Sequence, residues 1–130
     1  MRGFESTPFV RLQTPAGRCL DAWVAESLRA RLVGLAWLRH WPDSHALLLP
    51  RCRSIHTVGM RFPIDVAFVS WPPAGGVCEV VALEVALPPL QVVATRALPR
   101  RSVATIESGV HVLPGLGMVP GATAGVTFIL

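Results

Sequence analysis

The stretch from Ile64 to Val69 constrains the fold most, because it is apolar at every position except Asp65. A strand with apolar side chains on both faces is buried on both faces. The stretch therefore predicts a central strand that has other parts of the chain packed on each side. Asp65 then places a carboxylate in an apolar strand, where it must be hydrogen-bonded, paired with a cation or protonated.

Short apolar runs separated by proline and glycine continue this pattern along the rest of the chain. They predict further strands at Phe9–Leu12, Cys19–Ala25, Ala46–Leu49, Ser54–Thr57, Val77–Leu87, Val103–Glu107 and Thr123–Leu130. One helix is predicted to begin at Ser27, because Leu28, Leu32 and Leu35 recur at helical spacing. We therefore predict one mainly β domain over residues 1–130, a compact antiparallel β-sandwich or partly open barrel with one short helix.

The charge of the chain bears on its partners. The formal net charge is +4, the sequence pI is near 10.2, and every basic residue other than histidine is arginine. The arginines are scattered, apart from local groups at Arg51, Arg53 and Arg61 and at Arg100 and Arg101. A nucleic-acid interface needs clustered charge and usually stacking aromatics. We therefore predict a mildly basic surface and no nucleic-acid partner.

Several features bear on the cellular compartment. The start of the chain, Met1 to Pro8, lacks the apolar segment of a signal peptide. The most apolar stretch, Val77 to Ala97, contains Glu79, Glu84 and two prolines, which argues against a transmembrane helix. Three cysteines without CxxC spacing argue against a disulfide scaffold and a closed zinc site. We expect a cytoplasmic protein, a monomer or weak dimer, with no membrane contact, metal or cofactor.

The run from Cys52 to Val69 carries the motif IHTxGMxxPID, which begins at Ile55 and ends at Asp65. This motif resembles the signature of the DUF192 family, also called UPF0127, a widespread prokaryotic family without an assigned biochemical role. The resemblance is to the branch with the IHTxGMxxPID core. Many other members have a tryptophan–methionine pair where His56 and Thr57 stand in this sequence.

Three flanking elements are similar to the layout of the same family: Arg31–Leu35, Ile106–Gly109 and Gly117–Gly121. The resemblance covers about residues 18–130. The family often has an acidic residue after the last of these glycines, where this chain has Ala122, so the resemblance implies no carboxylate role at that turn. The resemblance implies a compact β-sandwich-like domain with a small helix, and it implies no reaction.

Asp65 and His56 are the candidate catalytic residues, because they lie on either side of the turn at Gly59 and Met60. If the two segments run antiparallel, the imidazole lies near the carboxylate, and such a pair suits a general base. Alternatively, Asp65 is a polar anchor that accepts hydrogen bonds from backbone N–H groups or an arginine. The anchor is favoured, because structural networks also bury carboxylates. The resemblance favours a packing or stacking role for His56, since relatives have tryptophan at that position.

Arginines near this segment offer a different chemistry. Arg31, Arg53 and Arg61 are candidates for a pocket that binds an anion or carboxylate, because guanidinium makes bidentate contacts with such groups. Alternatively, one of them pairs with Asp65 or Glu107 inside the fold. The candidate ligand-binding residues are therefore Arg31, Arg53, His56, Arg61, Asp65 and Glu107.

Two functional hypotheses follow from these residues. In the first, the domain is a binding or accessory module with a site near the segment from His56 to Asp65, for a small anionic ligand or a protein partner. In the second, it is a hydrolase-type enzyme that uses His56 as base and Asp65 as orienter. The low density of catalytic groups favours the first. In a third reading, the motif is wholly structural.

Overall fold

Seven strands of the described chain close into a barrel, and two more form a separate small sheet. The computed structural model describes residues 9–27, 31, 41 and 45–129. Its strands are β1 (Phe9–Gln13), β2 (Cys19–Val24), β3 (His45–Leu49), β4 (Ser54–His56), β5 (Ile64–Ser70), β6 (Val77–Leu87), β7 (Val92–Ala94), β8 (Val103–Ser108) and β9 (Thr123–Ile129). The barrel order is β1-β2-β3-β8-β5-β6-β9, with β9 paired back to β1.

The prediction of a mainly β barrel with one short helix is confirmed, and the barrel is closed rather than partly open. One neighbouring pair departs from the antiparallel pattern, because β2 and β3 run parallel. Parallel neighbours need a crossover connection of a dozen or more residues, and residues 25–44 supply it. Closure leaves no barrel edge without a hydrogen-bonded neighbour.

Helical structure in the described residues is sparse. A short α-helix covers Val112–Gly115, and a 3₁₀ turn covers Arg100–Ser102. Most of the helix predicted from Ser27 onward, including Leu28, Leu32 and Leu35, lies outside the described residues. Arg31 is described and is helical, and its N–H donates to the carbonyl of Ser27 at 3.1 Å.

The barrel interior is filled by alternate side chains from every barrel strand. The short helix contributes Leu113, which is fully buried in the same cluster. A second apolar cluster covers the outer face of the wall, where Leu47, Val66 and Phe68 pack with Ile55 from β4. The central strand β5 is therefore buried on both faces, as its apolar sequence predicts.

The strand β4 does not lie beside β5. It pairs antiparallel with β7, where His56 is opposite Val92, whereas β5 pairs with β6 and β8. The expected antiparallel arrangement of the His56 and Asp65 segments is therefore wrong. The physical reason is Thr57, whose buried hydroxyl donates to the carbonyl of Pro88 at 2.7 Å and accepts from the N–H of Gln91 at 2.8 Å.

Candidate functional site

The Asp65 carboxylate is fully buried and holds two backbone N–H groups. A bulge in the β5–β6 pairing, between Ile64 and Val66, takes Ala86 out of the ladder at a positive φ of 53°. The freed Ala86 N–H donates to Oδ1 of Asp65 at 3.0 Å, and the N–H of Leu113 donates to Oδ2 at 3.3 Å. Asp65 thus joins the bulge to the short helix, which matches the anchor interpretation.

Arg31 and Glu107 form a buried ion pair, with both side chains at 0% exposure. Nε of Arg31 lies 2.5 Å from Oε1 and Nη2 lies 2.7 Å from Oε2, so the contact is bidentate. Nη2 also lies 3.6 Å from the sulfur of Met60, in the motif turn. Nη1 of Arg31 is buried without a hydrogen-bond partner. Of the two alternatives for Arg31, the structure shows pairing inside the fold.

No hydrogen bond of the kind that a catalytic pair requires joins the described side chains of His56 and Asp65. Its Nδ1 atom is buried and has no hydrogen-bond partner, while both oxygens of Asp65 are occupied by backbone N–H groups. Side chains alternate across a strand, so Asp65 shares the barrel-interior face with Ala67, whereas Glu107 lies with Leu47 and Val66 on the outer face. The buried members of the predicted set therefore belong to different layers.

An open cavity of about 320 Å³ lies where the chain leaves β3, and we call it the first arginine cavity. Its lining includes Pro50, Arg51, Cys52, Arg53, Ser54 and Arg100. The turn is fixed by the N–H of Cys52, which donates to the carbonyl of Val103 at 3.0 Å, and by the hydroxyl of Thr105, which donates to the carbonyl of Cys52 at 2.8 Å. These bonds bring Arg100 beside Arg51, which precedes it by 49 positions in the sequence.

A second cavity of about 330 Å³ adjoins the first, and we call it the second arginine cavity. It is lined by Pro50, Arg51, Trp71, Pro72 and Arg101, so the turn at Pro50 and Arg51 belongs to both cavities. The backbone N–H of Trp71 donates to the carbonyl of Ser102 at 2.9 Å, which holds the 3₁₀ turn against the end of β5.

The charged side chains described in the lining of these cavities are all positive. The four arginines that line them, Arg51, Arg53, Arg100 and Arg101, are all exposed. The ion pairs found among the described residues involve other arginines: Arg11 pairs with Asp21, and Arg31 pairs with Glu107. Of the described residues that line either cavity, none is acidic. The concave surface therefore carries uncompensated positive charge.

The sequence-predicted site residues separate into three places. Arg53 lines the first arginine cavity, and Arg61 is exposed without lining a cavity described here. Arg31, Asp65 and Glu107 are fully buried inside the fold, and His56 is half-buried on β4. Sequence reasoning missed Arg51, Arg100 and Arg101 as site residues, although both local arginine groups were visible as a signal.

The described chain has two further candidate features, its free cysteines and a cavity at the other end of the barrel. All three cysteines are free thiols, and burial raises the pKa of Cys78 to about 11. A third cavity of about 390 Å³ near the short helix is lined by Arg18, Cys19 and His111 among others.

Within the described part of the chain, no group of three or more His, Cys, Asp or Glu side chains is arranged to hold a metal ion. No helix found there has the length and apolarity needed to cross a membrane.

Comparisons with known proteins show solved structures that share this fold. No family model matches the sequence, and no curated protein matches it. The chain is similar to a solved structure from Sinorhizobium meliloti 1021, described as a proposed transcription regulator, with 19% identity, a TM-score of 0.67, and 93% of this chain and 92% of that chain covered. It is also similar to a protein of unknown function from Novosphingobium aromaticivorans DSM 12444, with 16% identity, a TM-score of 0.69, and coverage of 98% and 96%. At these identities the likeness shows a common fold.

Proposed function

We propose that this domain is a binding module for a small anionic ligand, which it holds in the first arginine cavity. The observation that carries the proposal is that Arg51, Arg53 and Arg100 line one cavity of about 320 Å³. None of the described residues in its lining is acidic. Guanidinium groups present planar, bidentate donors that match phosphate and carboxylate oxygens. Ser54 adds a hydroxyl to the same lining.

The cavity geometry explains why the ligand would be small. Its volume of about 320 Å³ is at the lower end of the range typical of small-molecule sites. Its arginines come from two chain segments, the turn after β3 and the 3₁₀ turn before β8, which the backbone bonds of Cys52 hold together. The site is therefore built on fixed turns rather than on side chains alone, which lowers the entropy lost on binding.

The hydrolase alternative has weaker support. It requires His56 and Asp65 within hydrogen-bond reach beside an open cavity, but the oxygens of Asp65 bind the N–H groups of Ala86 and Leu113. Neither His56 nor Asp65 lines the cavities described above. A binding role needs no such pair.

Two broader proposals accompany this function. The IHTxGMxxPID motif supports membership of the DUF192 family, in which the domain would be one more member with a ligand still to be assigned. Three free thiols support a reducing compartment such as the cytoplasm.

Calorimetric titration with inorganic phosphate and with citrate tests the proposed site. We expect the wild-type domain to bind at least one of these anions, and Arg100→Gln to weaken binding about tenfold, because a charge-assisted hydrogen bond contributes about 1.5–3 kcal/mol. Arg18→Gln is the matched control. It removes the same charge, and the parallel pairing of β2 and β3 places Arg18 at the barrel end opposite Pro50.

Two results would overturn the proposal. One is the absence of heat and of thermal stabilisation with both anions at millimolar concentration, since a ligand that binds only the native state must raise the melting temperature. The other is equal weakening by Arg18→Gln and Arg100→Gln, which would show that net charge rather than the cavity attracts the anion.

A further inference from the structure

We propose that the two arginine cavities form one bipartite site for a small molecule with two separated anionic groups, such as a linear oligophosphate. This inference rests on the proposed function and extends it. The cavities have similar volumes, about 320 and 330 Å³, and share the turn at Pro50 and Arg51. A ligand that fills both would contact Arg51 at its centre.

The 3₁₀ turn divides two consecutive arginines between the cavities. Arg100 lines the first cavity and Arg101 lines the second. A 3₁₀ helix has three residues per turn, so neighbouring side chains diverge by about 120°. The C-terminal end of the turn is tied to both neighbouring segments, because the carbonyl of Ser102 accepts from the Trp71 N–H and that of Val103, the first residue of β8, accepts from the Cys52 N–H. One rigid element therefore serves both cavities.

Arg51 occupies the shared wall in a strained backbone conformation. Its φ is 52°, in the left-handed region that favours glycine and disfavours a residue with a Cβ atom. Backbone strain of this kind clusters at ligand clamps and other functional sites. Ala86, Leu90 and His111 share this backbone conformation, so the strain singles out Arg51 only together with its place in the lining of both cavities.

The two cavities differ in character, and the difference suggests how a ligand would lie. The first has three arginines and Ser54 in its lining, whereas the second has two arginines beside Trp71 and Pro72. A single phosphate would therefore prefer the first cavity. A second anionic group, connected to the first by a short linkage, would reach past Arg51 to Arg101 and contact the apolar wall.

Titrations with orthophosphate and with tripolyphosphate, at one fixed ionic strength, distinguish one cavity from two. For Arg101→Gln we expect orthophosphate affinity to stay within about twofold of wild type and tripolyphosphate affinity to fall about tenfold, the effect of one lost charge-assisted contact. For Arg51→Gly we expect both affinities to fall while the melting temperature is kept or raised, because glycine fits the left-handed φ. Arg18→Gln should leave both affinities near those of wild type.

The outcomes separate this inference from the proposed function. If orthophosphate binds and Arg101→Gln changes both affinities equally or neither, the bipartite site is overturned while the single-cavity function stands. If neither orthophosphate nor tripolyphosphate binds the wild-type domain, the bipartite site is overturned, and the single-cavity function falls with it if citrate also fails to bind. If a short oligodeoxythymidylate binds more tightly than tripolyphosphate and loses affinity with Arg101→Gln, the occupant is a nucleic acid, and the small-molecule proposal is wrong.

Discussion

The guanidinium of Arg31 and the carboxylate of Glu107 meet in a bidentate contact at 2.5 and 2.7 Å, with neither side chain exposed to solvent. The contact fastens a helical residue that precedes β3 to the outer face of β8. Met60, from the IHTxGMxxPID motif, approaches the same guanidinium. The pair therefore connects three distant parts of the sequence in the layer outside the barrel.

Removing one charge of this pair should be costly. Glu107→Gln keeps the shape of the side chain but leaves the Arg31 guanidinium buried and unpaired, so we expect the free energy of unfolding to fall by about 3–5 kcal/mol. Chemical denaturation measures the loss. The double variant Arg31→Met with Glu107→Leu should lose less than Glu107→Gln alone, because no charge stays buried. A loss below about 1 kcal/mol for Glu107→Gln would contradict the buried pairing.

Asp65→Asn should affect stability and leave anion binding intact. The amide retains one acceptor oxygen for the N–H of Ala86 or Leu113 but sets an NH₂ group against the other N–H. We expect a loss of about 1–3 kcal/mol, the cost of an unsatisfied buried polar group. Glu84→Gln, which removes an exposed carboxylate on β6, should have little effect on unfolding. Loss of phosphate binding in a folded Asp65→Asn variant would show that this carboxylate has a functional role.

Thr57→Val should loosen the loop that leads into β7. Valine has nearly the same shape but cannot bond the carbonyl of Pro88 or the N–H of Gln91. We expect a stability loss of about 1–3 kcal/mol and faster hydrogen exchange at the Gln91 amide. Thr127→Val, at an exposed position of β9, is the matched control. Unchanged protection at Gln91 would contradict the role assigned to the hydroxyl.

Alkaline pH should destabilise the domain through Cys78. Burial raises the pKa of this thiol from its ordinary 9.0 to about 11, so the folded state retains a proton that the unfolded state releases. The stabilisation is complete below pH 9 and is lost as the pH rises to about 11, at about 1.4 kcal/mol per pKa unit. The sequence contains no tyrosine and no lysine, so cysteine thiols dominate side-chain titration in this window.

Denaturation at intervals from pH 8 to 11 checks this dependence. Cys78→Ala should be less stable near pH 8 because it leaves a cavity, and its stability should decline less steeply as the pH rises. Cys19→Ala, at an exposed position, should keep the wild-type slope. An identical slope in Cys78→Ala would show that the buried thiol is not the source of the pH dependence.

Strand positions were predictable where the local pattern is strong. The structure places β6 at Val77–Leu87 and β5 at Ile64–Ser70, where the apolar runs predicted them. The short strand β7, Val92–Ala94, was missed because its side chains are largely exposed and its pairing depends on Thr57. With only three residues, all of them apolar, it has no alternation of apolar and polar side chains to read.

The candidate site was only partly visible for a related reason. The sequence showed that Arg53 belongs to a local arginine group, but nothing local indicates that Arg100 lies beside it. The backbone bond from Cys52 to Val103 brings the two together. The reverse holds for His56 and Asp65, which are close in sequence yet belong to different sheets.

By itself, the sequence determined the strand periodicity, the burial of β5 on both faces and the need for a partner at Asp65, because these follow from side-chain chemistry within a few residues. Only the tertiary structure decided the closure of the barrel, the parallel β2–β3 pairing and the convergence of Arg51, Arg100 and Arg101. These depend on long-range backbone pairing, whose partners are set by the packing of the whole domain rather than by any segment alone.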